Sequence, residues 1–178
     1  PILAAADSFR VEIHGKGGHG ALPEQTIDPL ITGVQIVNAF QTIPSRNVGL
    51  LESALISICS FQAGTAFNII PEKAVLLGTI RTYDPVIQER VHRRMNEIVE
   101  HTARAYGATA SLEIDKIVPA AYNDPQMAAL TRRLAADIFG AENIEMDYRV
   151  SPSDDVADFL SAAPGCQVIL GAAVEGGY

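Results

Sequence analysis

A few polar side chains in this sequence have neighbours that would let them do chemistry. His19 stands in the glycine-rich run Gly15–Gly20, where no adjacent side chain packs on the imidazole, so the ring could point into a cleft. An exposed loop histidine without a role is the alternative, and the local sequence alone favours it. The other histidines, His14, His92 and His101, lie beside charged positions, and we expect all three at the surface or at its rim.

A guanidinium, an amide and two neighbouring carboxylates are the other candidates. Arg81 closes the mostly apolar segment 75–80 and could bind a carboxylate through two hydrogen bonds, although a salt bridge within the protein fits equally well. Asn68 lies among apolar residues, where an amide usually caps a turn. Asp154 and Asp155 precede a helical pattern, so they indicate favourable acids at a helix start more than a catalytic pair.

The glycine-rich run also matches the G-x-G-x-x-G pattern of dinucleotide-binding proteins. That function requires the last glycine to open a helix and an acidic residue to end the next strand. Here about six residues separate Gly20 from the helical pattern, and the next strand ends near Gln62 without an acid. The nucleotide interpretation is therefore disfavoured. No three histidines, cysteines or acids show the spacing of a metal site, so we expect none in this chain.

Composition excludes several classes of partner. The 178 residues carry 13 Lys+Arg against 21 Asp+Glu, a net charge of −8, which argues against nucleic acid and anionic membranes. The apolar runs are too short to span a membrane. Cys59 and Cys166 suggest free thiols and a cytoplasmic location. The sequence runs from Pro1, without an initiator Met, to Tyr178, and we expect a piece of a longer protein.

Residue periodicity predicts an α+β fold. Alternating or β-rich segments at 9–13, 55–61, 73–83 and 110–114 predict strands, and helical patterns at 27–40 and 84–106 predict helices. The order βαββαβ indicates a ferredoxin-like two-layer sandwich that closes near Val118. Beyond it we predict helices at 126–139 and 155–162 and strands near 144–148 and at 166–170. They form an α/β segment whose partner strands are not in the chain.

Several weak motifs occur together in a fixed order. They are Gly17-Gly18-His19-Gly20-Ala21-x-Pro23, Phe67-Asn68-Ile69-Ile70-Pro71, Gly78-Thr79-x-Arg81, Ser153-Asp154-Asp155-x-Ala157-x-Phe159 and Pro164-Gly165-Cys166. Jointly they resemble the metallopeptidase family of aminoacylases, carboxypeptidase G and hippurate hydrolase, and within it the N-acyl-amino-acid amidohydrolase branch. The resemblance covers nearly the whole chain.

The resemblance implies a domain organisation. Residues 1–118 would be the lid or dimerisation domain, and residues 119–178 the C-terminal part of a truncated catalytic domain. Most metal ligands and the catalytic Glu would precede Pro1, and a last His ligand would follow Tyr178. The full-length enzyme would hold two divalent ions, zinc or manganese, and this fragment none. It would form a homodimer through the lid domain, with no nucleic-acid or membrane partner.

The resemblance also assigns roles to individual residues. His19 would polarise the scissile carbonyl or its oxyanion, Asn68 would hydrogen-bond the substrate, and Arg81 would bind the substrate's carboxylate. Asp154 and Asp155 would be acids near the site. The sequence departs from the branch there, because Asp154 replaces a Glu, Val156 replaces a Phe and Asp158 takes a position that is often aromatic.

The implied function is metal-assisted amide hydrolysis of N-acyl amino acids or similar substrates, in which the isolated fragment is inactive. The alternative is a non-catalytic ferredoxin-like dimerisation or ligand-binding module. A module of that kind has no need for His19, Asn68 and Arg81 together.

Overall fold

A four-stranded antiparallel sheet with two helices on one face forms the larger part of the molecule. The computed structural model describes residues 1–171. The long strands are β1 (Ala5–His14), β3 (Ala54–Ala63), β5 (Lys73–Thr82) and β6 (Thr109–Val118), in the order β3-β5-β1-β6. Two-residue strands, β2 (Gly18–His19) and β4 (Ile69–Ile70), pair with each other. The predicted ferredoxin-like arrangement is confirmed.

Both helices of this layer begin with the same Asp-Pro pair. Asp28 accepts hydrogen bonds from the first backbone amides of α1 (Pro29–Phe40), and Asp84 does the same for α2 (Pro85–Ala105). Each aspartate satisfies donors that have no partner within the helix, and proline fits the first helical position. Gly107, with a φ of +74°, follows the end of α2. The predicted limits of both helices are thus close to the observed ones.

The main core lies between the helices and the sheet. Phe9, Val11 and Ile13 of β1 point towards the helices and are buried, as the alternation predicts. Phe9 packs edge to face on Phe40 of α1, with ring centroids 5.8 Å apart. A Cβ on Gly78 of β5 would lie 2.3 Å from Cζ of Phe9, so glycine leaves the room that this ring requires.

The remainder of the described chain contains α3 (Pro125–Phe139) and α4 (Val156–Ala162). Ala121 and Ala157 form a small second core with Leu3, and Val150 N donates a hydrogen bond to the Ile2 carbonyl at 3.1 Å. The first residues of the chain therefore pack against its C-terminal part. The division into 1–118 and 119–178 stays a prediction. None of the helices in residues 1–171 is sufficiently long and apolar to cross a membrane.

Two strands predicted beyond residue 119 are not formed, and those predictions were wrong. Residues 144–148 form an exposed bend, and only Val150 makes an isolated bridge, to Leu3. Residues 166–170 are irregular, and the amide and carbonyl of Gln167 bond to the Asn123 side chain, each at 2.9 Å. Strands are stabilised by a paired neighbour, and in the described residues these segments lie beside none.

Candidate functional site

The glycine-rich run crosses one end of the sheet and supplies β2. A Cβ on Gly15 would lie 2.1 Å from the Ile27 carbonyl oxygen, and one on Gly17 would lie 2.8 Å from that of Ile70. The glycines therefore let backbone pack against backbone, which explains them without a nucleotide. The helix α1 begins only at Pro29, and the sheet is antiparallel, so the dinucleotide interpretation has no structural support either.

His19 is an exposed side chain with a defined neutral tautomer. Its Nδ1 accepts a hydrogen bond from the backbone amide of Ala21 at 3.1 Å. An imidazole that accepts at Nδ1 carries its proton on Nε2 when neutral. The geometry thus leaves Nε2–H as a hydrogen-bond donor on an exposed loop.

The segment that carries Asn68 lies beside that of His19, because β2 and β4 pair with each other. Gly20 N donates to the Asn68 carbonyl at 2.8 Å, and His19 is paired with Ile69. The Asn68 side chain is exposed, and its amide makes no hydrogen bond to another residue in the part of the chain that is described. Phe67, just before it, is also fully exposed. The structure therefore brings the two segments together at one end of the sheet, while their side chains occupy successive positions of the ladder, which alternate between its two faces.

Arg81 lies near the end of β5, with Ala6 of β1 and Leu55 of β3 as its partners in the sheet. Its side chain is half-buried on the face that the helices do not cover, and it lines an open cleft of about 430 Å³. Within residues 1–171 no carboxylate forms a salt bridge with it. The internal salt bridge considered for this arginine is thus not formed there.

These candidates do not form one cluster within a single chain. The segment that carries His19 and Asn68 adjoins the start of β5, where Gly15 N donates to the Glu72 carbonyl at 2.8 Å. Arg81 is eight residues further along that strand. At 3.3 Å per residue, the two ends lie about 26 Å apart. One chain therefore presents the imidazole and amide at one end of the sheet and the guanidinium at the other.

Asp154 and Asp155 lie at the start of α4. Asp154 Oδ1 accepts a hydrogen bond from the amide of Val156 at 2.9 Å, as a helix-capping residue does. Both aspartates are exposed. This geometry agrees with the interpretation as acids at a helix start, and their place near a reaction site stays a prediction.

A buried carboxylate on β1 was not among the predicted residues. Asp7 is 1% exposed and accepts hydrogen bonds from Gln88 Nε2 at 2.9 and 3.0 Å, and its Oδ2 lies 2.7 Å from Nε2 of His92. His92, expected at the surface or at its rim, is half-buried: its side chain is 13% exposed and faces this carboxylate. The sequence does indicate that Asp7 is buried, because it lies two residues before Phe9 and so on the same, core-facing side of β1.

We expect the contact between Asp7 and His92 to stabilise the fold. Replacing His92 by alanine leaves a buried carboxylate with Gln88 as its remaining side-chain donor, which should lower the free energy of unfolding by about 2–3 kcal/mol. His101→Ala, at an exposed position of the same helix, is the matched control and should cost less than about 0.5 kcal/mol. Urea denaturation of both variants measures the difference. Equal stabilities would show that the buried pair contributes nothing.

Charged groups on the open face of the sheet pair with one another. Lys73 donates to Glu12 at 2.8 Å, and Arg10 donates to the same carboxylate. These hydrogen bonds, from Lys73 first and then Arg10, lower the pKa of Glu12 to about 2. Glu12 is therefore ionised and occupied, and it is a poor candidate for a general base. The described residues contain no group of three or more His, Cys, Asp or Glu side chains that fits a metal ion.

A family described as "Peptidase dimerisation domain" matches residues 5–107, which include the whole sheet except β6. The chain belongs to this family. The matched region contains His19, Asn68 and Arg81, and the resemblance inferred from the motifs is thereby confirmed.

Related proteins extend the similarity beyond the matched domain. The chain is 38% identical to an N-acetyl-L-cysteine deacetylase of Bacillus subtilis, over 96% of this chain and 41% of the relative. It is 31% identical to the hippurate hydrolase of Campylobacter jejuni, over 89% of this chain and 42% of the relative. The structure of a dinuclear metal-binding peptidase of the M20 family from Bacillus subtilis is similar, with a TM-score of 0.73 and 28% identity over 93% of this chain and 40% of that one.

The chain matches only part of each related protein. The chain spans less than half the length of the curated relatives it matches. More than half of each of these relatives therefore has no counterpart in the 178 residues.

Proposed function

We propose that this chain is part of a dinuclear metal-dependent amidohydrolase that cleaves the amide bond of N-acyl amino acids or similar substrates. The observation that carries the proposal is that the exposed imidazole of His19, with its proton on Nε2, and the exposed amide of Asn68 belong to two paired segments at one end of the sheet. Both groups can donate to a carbonyl oxygen on which negative charge develops. The relatives named as a deacetylase and a hippurate hydrolase support this substrate class.

In this proposal each residue has one task. His19 Nε2–H stabilises the scissile carbonyl or its oxyanion, Asn68 hydrogen-bonds the substrate, and Arg81 binds the substrate's carboxylate. Asp154 and Asp155 support the region near the site. Residues 1–118 are the lid or dimerisation domain, and residues 119–178 belong to the catalytic domain.

The metal centre is assigned to other parts of the full-length enzyme, because the described residues do not fit one. We propose two divalent ions, zinc or manganese, in keeping with the dinuclear relative. When bound, such ions activate a water molecule for attack on the amide. Free Cys59 and Cys166 support a cytoplasmic location.

The separation of about 26 Å between the two ends of the sheet supports a site shared by two copies. An N-acyl amino acid is much shorter than this separation, so one substrate molecule cannot contact both ends of one sheet. We propose that one copy supplies His19 and Asn68, and that the other copy supplies Arg81 to the same substrate. The family's description as a dimerisation domain agrees with this arrangement.

One side of the sheet is suited to receive the second copy. Among residues 1–171, edge strand β3 has a strand partner on one side only, and α1 lies beside it with Leu30, Ile31 and Val34 exposed. Phe61 of β3 continues this apolar surface, since a Cβ on Gly33 of α1 would lie 2.7 Å from its ring. We propose that the α1–β3 surface, defined by these residues, binds the α1–β3 surface of another copy.

The opposite side is a poorer interface. There α2 presents charged residues, among them Arg93, Glu100 and Arg104, beside edge strand β6. Ile117 is the large apolar side chain that β6 exposes. Charged residues are depleted at the centre of interfaces, so the α1–β3 surface is the better candidate.

Hydrolysis assays test the proposed function directly. Full-length protein supplied with zinc or manganese should release amino acid from N-acetyl or N-benzoyl amino acids, whereas the 178-residue chain should release none because it lacks the metal centre. Liquid chromatography of the products measures both. Activity of the short chain would contradict the assignment of the centre. A full-length protein that binds metal but cleaves no acyl amino acid would favour the dimerisation or ligand-binding module.

A further inference from the structure

The guanidinium of Arg81 is held by groups of its own strand. Its Nη1 donates to the hydroxyl of Thr79 and to the carbonyl of Ile80, the latter at 3.0 Å. Thr79 and Arg81 are two residues apart on β5, so both side chains project from the same face of the sheet. The contact therefore joins two neighbours on the uncovered face.

The Thr79 hydroxyl has a fixed direction. It donates its only hydrogen to the Asp7 carbonyl at 3.0 Å, so its lone pairs remain for Arg81. A threonine side chain is stiff at its first torsion, which holds the oxygen in place. Asp7 is itself anchored, because Gln88 and His92 bind its carboxylate.

Anchoring Nη1 leaves a defined part of the arginine available. The two hydrogens of Nη1 are directed to Thr79 and Ile80, and in the described residues nothing accepts a hydrogen bond from Nε or Nη2 of Arg81. The Nε–Nη2 edge of a guanidinium presents two parallel donors, which match the two oxygens of a carboxylate. Arg81 lines an open cleft, which gives a small anion room beside the guanidinium.

We propose that Thr79 is a positioning residue, which orients Arg81 so that its Nε–Nη2 edge receives the substrate's carboxylate. This inference rests on the proposed function, in which Arg81 binds that carboxylate. Without the hydroxyl, Arg81 would sample several rotamers and bind the carboxylate less often. Thr79 touches no reacting atom, so its loss should weaken binding and leave the chemical step unchanged.

Kinetics of the full-length enzyme with two substrates test the inference. One is an N-acyl amino acid with a free carboxylate, and the other is the corresponding primary amide, which offers no anion to Arg81. Thr79→Val keeps the shape and removes the hydroxyl. It should raise KM for the free acid roughly tenfold and leave kcat for that substrate within about twofold of the parent value. Both constants for the amide should also stay within about twofold. Thr79→Ser restores the hydroxyl and should restore KM.

Thermal melting checks that the variants fold, and Thr79→Ala repeats the test without the hydroxyl should the valine variant misfold. Equal losses for acid and amide, no loss at all, or a serine variant as poor as the valine variant would overturn the inference. Arg81→Gln separates failure of the positioning role of Thr79 from failure of the carboxylate-binding role of Arg81. If it loses acid preference while Thr79→Val does not, the positioning role alone fails. If it keeps acid preference, the carboxylate role of Arg81 fails as well.

Discussion

Replacing His19 by alanine in the full-length protein is expected to lower kcat by about 100-fold to 1000-fold with little change in KM. A donor aimed at a developing oxyanion contributes mainly in the transition state, and the loss of one such donor has an effect of this size. The proton on Nε2 is the group concerned, since Nδ1 is occupied by the amide of Ala21. Steady-state hydrolysis of an N-acyl amino acid measures both constants.

His14 provides the matched control for this experiment. It is an exposed histidine at the end of β1, 3.6 Å from Glu12, and the proposal gives it no task. His14→Ala should retain activity within about twofold. Both variants should melt as the parent does, because both side chains are exposed. A loss of less than about tenfold for His19→Ala would contradict the oxyanion role.

Replacing Ile31 by aspartate is expected to turn a dimer into a monomer. Ile31 is 47% exposed in the first turn of α1, on the proposed α1–β3 surface. An acid near a helix start is favourable to the helix, so the chain should still fold. At an interface between two copies it would bury an unpaired charge on each side. That should weaken association by at least about 1000-fold.

Ile117→Asp is the control on the opposite side of the sheet. Ile117 is 59% exposed on β6, so the same change is made at an even more accessible isoleucine. Light scattering after size-exclusion chromatography should show a monomer for Ile31→Asp and a dimer for Ile117→Asp. The reverse result would move the interface to β6. Two intact dimers would exclude both surfaces.

The fold of the first 118 residues could be predicted because local signals agree there. The alternation of β1, the Asp-Pro starts of both helices and Gly107 after α2 each indicate the same element as the packing does. The predictions of strands at 144–148 and 166–170 were wrong because neither an alternating segment nor an apolar run shows whether a neighbouring strand is present. Asp147 N donates instead to the Glu145 side chain at 3.1 Å, and Gln167 N donates to the Asn123 side chain at 2.9 Å.

The sequence identified the residues of the candidate site, but it did not show where these residues lie relative to one another. The motifs identify His19, Asn68 and Arg81, but only the structure shows that the segment of His19 and Asn68 adjoins the start of β5, far from Arg81 near its end. The pairing of Asp7 with His92 and the contact of Thr79 with Arg81 depend on side-chain packing across the sheet. Such contacts leave little trace in a single sequence.

Mixing two inactive variants tests most directly whether two copies share one site. His19→Ala and Arg81→Gln chains of the full-length protein would be unfolded together, refolded as mixed dimers and assayed for hydrolysis. If His19 and Arg81 reach one substrate from different copies, half of the dimers are mixed and one of their two sites is intact. Roughly a quarter of the parent activity should then return. Activity no higher than that of the separate variants would contradict the shared site.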